Sequence, residues 1–224
     1  MNKTLAFAKL DYMTVKSYLN WKVSLLFLAV FAFIGYGTGE MAASIGMCMM
    51  YSVIFACYPF SVGEKNGLDT LYATLPATKK NIVAGRYTFT VILNLIMLVV
   101  GFVVSTVLLT AFGKEFGWVE TLLTALICFA FFSLVEAIQL PIYFKFGYTK
   151  AKFLVYLPLL CFPASIIIAN NLLGADKMMP LLTDMLTWVE ANVVITVVIA
   201  LAAWIGLMLL SAVLSFRFYK KREF

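Results

Sequence analysis

The sequence predicts an all-α polytopic membrane protein with six transmembrane helices, and three observations carry that reading. Of the 224 residues, 63% are hydrophobic and 12% charged, with mean hydropathy +0.98. A core of that size has no matching polar shell, so lipid must be the solvent for most of the surface. Six apolar runs, at 21–38, 41–60, 86–112, 119–144, 153–173 and 191–216, match the roughly 20 residues that a helix needs to cross a bilayer. The basic residues are one-sided. With the N-terminus inside, Lys3, Lys9, Lys16, Lys22, Lys65, Lys79, Lys80, Arg86, Lys145, Lys150, Lys152, Arg217, Lys220, Lys221 and Arg222 fall in inner segments, against Lys114 and Lys177 in outer ones. Cytoplasmic loops retain lysine and arginine, so both termini are expected in the cytoplasm. The net charge of +6 then reads as a topology signal, with no nucleic-acid partner implied.

The elements follow in order. Residues 1–20 carry Lys3, Lys9, Asp11 and Lys16 in place of the unbroken apolar segment of a signal peptide,. Over 4–19, Leu5, Ala8, Tyr12, Val15 and Leu19 share one stripe with Lys9 and Lys16 beside it, which predicts a cytoplasmic amphipathic helix in the membrane interface. A basic leader that only sets topology is the alternative. Trp21 turns the chain into the first crossing, and Gly35 to Gly39 offers either a close helix approach or a turn. Between the second and third crossings, residues 64–80 form a polar hairpin. Leu68, Leu71, Tyr72 and Leu75 are spaced as one face of a short helix, and Pro76 ends it by denying Leu75 a helical backbone. Thr78 is then placed to N-cap the next helix. Apolar residues on such a loop need a partner, either the bilayer surface or another protein.

The fourth crossing holds Glu136, the one acid deep in an apolar run, with Gln139 and Pro141 close behind. Pro158 and Pro163 are expected to bend the fifth crossing. Residues 174–190 predict a short helix on the outer leaflet, with Pro180 in its first turn and Leu181, Leu182, Met185, Leu186 and Val189 along one face. Outer connections are otherwise short. No large extracellular domain is expected, and residues 1–224 read as a single transmembrane domain.

Chemistry is constrained by what is missing. The chain has no histidine, which excludes the usual zinc-protease and histidine-based triad arrangements. Cys48, Cys57, Cys128 and Cys161 all lie in apolar runs, where they pack as small hydrophobes, so neither a disulfide framework nor a metal site is expected. No G-x-x-x-x-G-K-S/T occurs, so nothing in this chain cradles a nucleotide phosphate. No catalytic residue and no bound cofactor are expected.

Two motifs carry a resemblance. Glu64, Asn66, Gly67 and Leu68, then Thr74 to Lys80, Ile82-Val83 and Gly85-Arg86-Tyr87, resemble the "E-x-N-G-L … S/T-L-P-x-S/T-R/K … I-V … R/K-Y" segment of compact six-helix ABC type-2 exporter permeases. Gln139 to Lys152 is similar to that family's "L-P-x-x-F-K-F-G-x-x-K-A-K/R" at the inner end of the fourth crossing. The resemblance implies a permease of the bacterial cytoplasmic membrane without an ATPase of its own. It would work with a second permease copy, as a homodimer or paralogue heterodimer, on separate ABC ATPase subunits that hold ATP and Mg. It also implies that residues 64–80 include a coupling helix which docks on the ATPase, a role carried onto Glu64, Leu68, Asp69, Leu71, Tyr72, Leu75 and Pro76. The relatives it points to export amphipathic toxin peptides of the phenol-soluble modulin kind, bacteriocins or drugs.

Glu136 stands apart from both motifs. A charged side chain at membrane depth costs about 2.5 to 3.5 kcal/mol on insertion scales and normally faces a polar interior or a partner. With Gln139 it lines a translocation path or dimer seam, or it makes an internal bond to a neighbouring helix. A self-contained secondary transporter or small channel that uses Glu136 is the competing function, and it makes the 64–80 loop dispensable.

Overall fold

The computed structural model describes residues 3–16, 22, 26–27, 29–30, 33, 41–68, 72, 78–111, 113, 118–156, 168, 187–188 and 191–222. Among the described residues the chain is helical, with turns and no strand. Its elements are α1 (Lys3–Lys16), α2 (Met41–Lys65), α3 (Lys79–Ala111), α4 (Trp118–Phe146), α5 (Tyr148–Ala151), a 3-10 turn at Lys152–Tyr156, and α6 (Val193–Lys220). Four helices are long and apolar enough to cross a membrane: Ser44–Lys65, Lys79–Leu108, Thr121–Phe146 and Val194–Lys220. They correspond to the expected second, third, fourth and sixth crossings. The expected first and fifth crossings and the outer helix at 174–190 fall largely outside the described residues.

Local chemistry explains where these helices start and stop. α3 begins at Lys79, ahead of its apolar run, because Thr78 Oγ1 accepts the backbone N–H of Asn81 at 3.4 Å, which is the N-cap the sequence predicts. With 33 residues the helix is about 50 Å long, well beyond a hydrocarbon core of roughly 30 Å, so one or both of its ends project from the bilayer. α4 runs through Pro141 and stops at Gly147, whose φ of 79° only glycine adopts readily.

α2 is the central helix. In its most apolar stretch 67% of the residues are buried, against 11% in α6, so α6 presents most of its surface outward. Ile45, Met49 and Val53 of α2 pack with Ala125, Cys128, Phe132 and Val135 of α4 in one cluster. A second cluster joins Ala8 and Val15 of α1 to Cys48, Tyr51 and Phe55 of α2 and Phe89 of α3. α1 therefore packs against the bundle itself. Its inward residues are Phe7, Ala8, Asp11 and Val15. Leu5 and Tyr12, which belong to the stripe read from the sequence, remain about half exposed.

Candidate functional site

The starts of α1 and α3 meet the ends of α2, α4 and α6 at one end of the bundle. Lys79, Lys80, Lys145, Lys150, Lys152, Arg217, Lys220, Lys221 and Arg222 gather there, and we refer to it as the basic end. Each residue of the Gly85-Arg86-Tyr87 triplet ties α3 to a different neighbour. A Cβ at Gly85 would sit 2.5 Å from Phe7 Cβ and 3.1 Å from the Thr4 carbonyl, so glycine is what lets α1 lie directly on α3. Arg86 is buried, with its guanidinium 4.1 Å from the Phe60 ring centre and 5.4 Å from that of Phe144. A guanidinium stacks favourably on aromatic faces, and this one binds α2 and α4 together. Its charge also acts on Asp11 of α1. Burial pushes the Asp11 carboxyl up to about 6, with Arg86 pulling in the opposite direction.

Tyr87 reaches α6. Its hydroxyl lies 2.6 Å from Ser211 Oγ and 2.8 Å from Ser215 Oγ, and Ser211 Oγ donates to the Ala137 carbonyl at 2.6 Å. Each hydroxyl has one proton, so the order is Ser215 to Tyr87 to Ser211 to the α4 backbone. Lys79 adds a second link to α6, directing its ammonium at the carbonyls of Tyr219, Lys220 and Arg222 at 3.2 to 3.4 Å. A cation there satisfies unpaired carbonyls and opposes the helix dipole.

The two motifs read from the sequence meet in space. Glu64 Oε2 accepts the backbone N–H of Thr149 at 3.0 Å, joining the end of α2 to the first turn of α5. Gly147 makes room for this. A Cβ there would lie 2.9 Å from Glu64 Oε2 and 3.2 Å from Arg222 Nη2. Leu68 is half-buried against the cluster formed by Phe7, Phe60, Ile82, Tyr143 and Phe144. Tyr72 is buried in that cluster, its ring edge-on to Phe7 at 5.5 Å. Two apolar residues of the expected docking face thus turn toward the protein's own core, while Lys65 and Asn66 are exposed. Asp69, Leu71, Leu75 and Pro76 lie outside the described residues.

Glu136 and Gln139 are fully buried within the chain. Ser52 Oγ of α2 donates to Asn94 Oδ1 of α3, and Asn94 Nδ2 donates to Glu136 Oε2, so one amide joins three helices around the carboxylate. Gln139 Nε2 donates to the Leu154 carbonyl in the 3-10 turn.

Sequence reasoning missed Asp11, Ser52, Lys79 and Asn94 as partners. Asn94 gave a signal: a lone amide in the apolar run VILNLIM is subject to the same membrane-depth argument as Glu136.

The family model described as ABC-2 family transporter protein matches residues 8–220, which takes in both motifs and reaches the last turn of α6. No curated protein and no solved structure matches the chain. The chain belongs to the ABC-2 transporter family and is an integral membrane permease of an ABC-type transporter.

Proposed function

We propose that this permease exports amphipathic cargo, of the toxin-peptide, bacteriocin or drug type, driven by ATP hydrolysis in separate ABC ATPase subunits. It works as a pair of permeases, homodimeric or with a paralogue, in a bacterial cytoplasmic membrane. Each copy crosses six times with both termini in the cytoplasm, and residues 64–80 form the coupling hairpin that the ATPase grips. Mg and ATP belong to the ATPase. Family membership supports an ATPase partner, and the observation that carries the coupling role is the anchorage of the hairpin at both ends. Glu64 is bonded to α5, Tyr72 packs on α1, and Lys79 holds the end of α6. A push on residues between these anchors reaches α1, α3, α4 and α6 together. Rigidly packed elements transmit such displacements because cores do not deform continuously.

Burial of Tyr72 changes which residues should face the motor. The docking surface is expected to use exposed Lys65 and Asn66, with the tyrosine bracing it from behind. The experiment is co-purification with a co-expressed ABC ATPase from the same genome, followed by ATP-driven export from inverted vesicles. Lys65→Glu with Asn66→Asp should abolish the complex and export without changing the melting midpoint of the permease. Retained complex and retained export would rule out this surface. Export that needs no ATPase would instead favour a secondary transporter.

A further inference from the structure

α1 and α3, with Phe55 of α2, line a groove of about 550 Å³, with Leu5, Lys9 and Tyr12 on one side and Phe89, Ile92 and Ile96 on the other. Leu5, Tyr12, Ile92 and Ile96 are each about half exposed. The groove has a direction. Thr4, Phe7 and Ala8 lie against Gly85, whereas Val15 packs in one cluster with Phe89 and Leu93. Lys9 therefore lies near the end of the groove closest to Lys79 and Lys80. From Gly85 to Ile96 the helix rises roughly 16 Å, and the lining away from Lys9 is apolar.

Charge selects the occupant. Lys9 is the one charged residue in the lining, and it has no carboxylate partner among the described residues. A second copy of this chain seated here would have to bring an acid to it. A long apolar rod with one anionic end matches both the shape and the charge. We propose that the groove seats an acyl chain of an anionic phospholipid, with its phosphate at Lys9. Bound there, the lipid wedges α1 against α3 and makes the helix beneath Tyr72 sensitive to membrane composition. The proposal stands whether or not the ATPase reading does.

The test is native mass spectrometry of the full-length permease titrated with dioleoyl phosphatidylglycerol or dioleoyl phosphatidylcholine. The wild type should retain the glycerol lipid preferentially. Lys9→Gln should lower its retention about five-fold, the effect of one basic residue near an anionic headgroup, and leave the choline lipid unchanged. Lys9→Arg should restore the preference, and Ile92→Trp should reduce retention of both lipids. Equal retention of the two lipids by the wild type, or an unchanged preference in Lys9→Gln, would overturn the proposal. So would efficient disulfide crosslinking of Ile92→Cys to a second copy that added phosphatidylglycerol does not suppress.

Discussion

The two ends of the bundle use polar residues in opposite ways. At the basic end they bond between elements: Glu64 to α5, Lys79 to α6, Tyr87 to Ser211 and Ser215, and Arg86 between Phe60 and Phe144. At the other end, three threonine hydroxyls bond within their own helix. Thr106 Oγ1 donates to the Phe102 carbonyl, Thr110 Oγ1 to that of Thr106, and Thr196 Oγ1 to that of Asn192. A hydroxyl that bonds back to its own helix satisfies itself without holding a neighbour. The basic end is therefore cross-braced by polar contacts, while these three far-end hydroxyls hold no neighbouring helix. Under the proposed coupling at residues 64–80, that division would let a push at the braced end move several helices together.

Breaking the brace should have the largest effect. Arg86→Ala leaves the buried Asp11 without its counter-charge and empties the space between two rings. Loss of a desolvated guanidinium–ring contact costs about 2 kcal/mol and the cavity left between the rings adds to it, so the melting midpoint should fall sharply and α1 should become open to proteolysis. Asn94→Leu probes the interior in between. It strips the donor from Glu136 and the acceptor from Ser52, and an unsatisfied buried group costs about 1 to 3 kcal/mol. Asn94→Leu with Glu136→Leu should recover most of that loss in thermal denaturation, because the carboxylate no longer needs a partner. Lys79→Ala should cost less, about 0.3 to 1 kcal/mol, and release the last turn of α6 in hydrogen exchange. At the far end, Thr106→Val with Thr110→Val should stay within about 0.5 kcal/mol of the wild type. A larger loss there than in Lys79→Ala would erase the contrast between the ends.

A pH titration sharpens the same contrast. The Asp11 carboxyl is raised in the folded protein from 3.8 to about 6 by burial. The folded state therefore binds the proton more tightly than the unfolded state does. Its contribution to stability is fully present below about 3.8 and is lost as pH rises through about 6. Midpoints measured from pH 7 to pH 5 should rise, and Asp11→Asn should flatten the slope.

Much of this was legible in the sequence, for a reason that also sets the limit. Helix membership of the second, third, fourth and sixth crossings is local, since an apolar run is its own evidence. The Thr78 cap lies three residues from the N–H it receives. The brace is not local. Glu64 meets Thr149 across 85 residues and Lys79 meets Arg222 across 143, and no spacing rule reaches that far. The two motifs were visible as strings, but not that one holds the other. Tyr72 shows the same limit. An apolar face on a loop states that it needs a partner, and only tertiary packing discloses that Phe7 of the same chain is that partner. α1 was placed as an interfacial helix from Leu5, Tyr12 and their stripe. Its inward side, Phe7 and Asp11, is specified by Gly85 and Arg86 some 75 to 80 residues later.

The central claim is that the basic end moves as one braced body while the far end changes. It is tested most directly by spin-label distances across the ATP cycle of the complex, with the four native cysteines replaced. One pair, Lys80→Cys with Lys150→Cys, reports the basic end at two exposed positions outside the docking surface, and the other, Gly113→Cys with Ala191→Cys, reports the far end. A braced basic end should give a single, narrow distance that does not change between nucleotide-free and ATP-trapped states, with a clear shift at the far end. A basic-end distance that broadens or shifts while the far end stays still would contradict it.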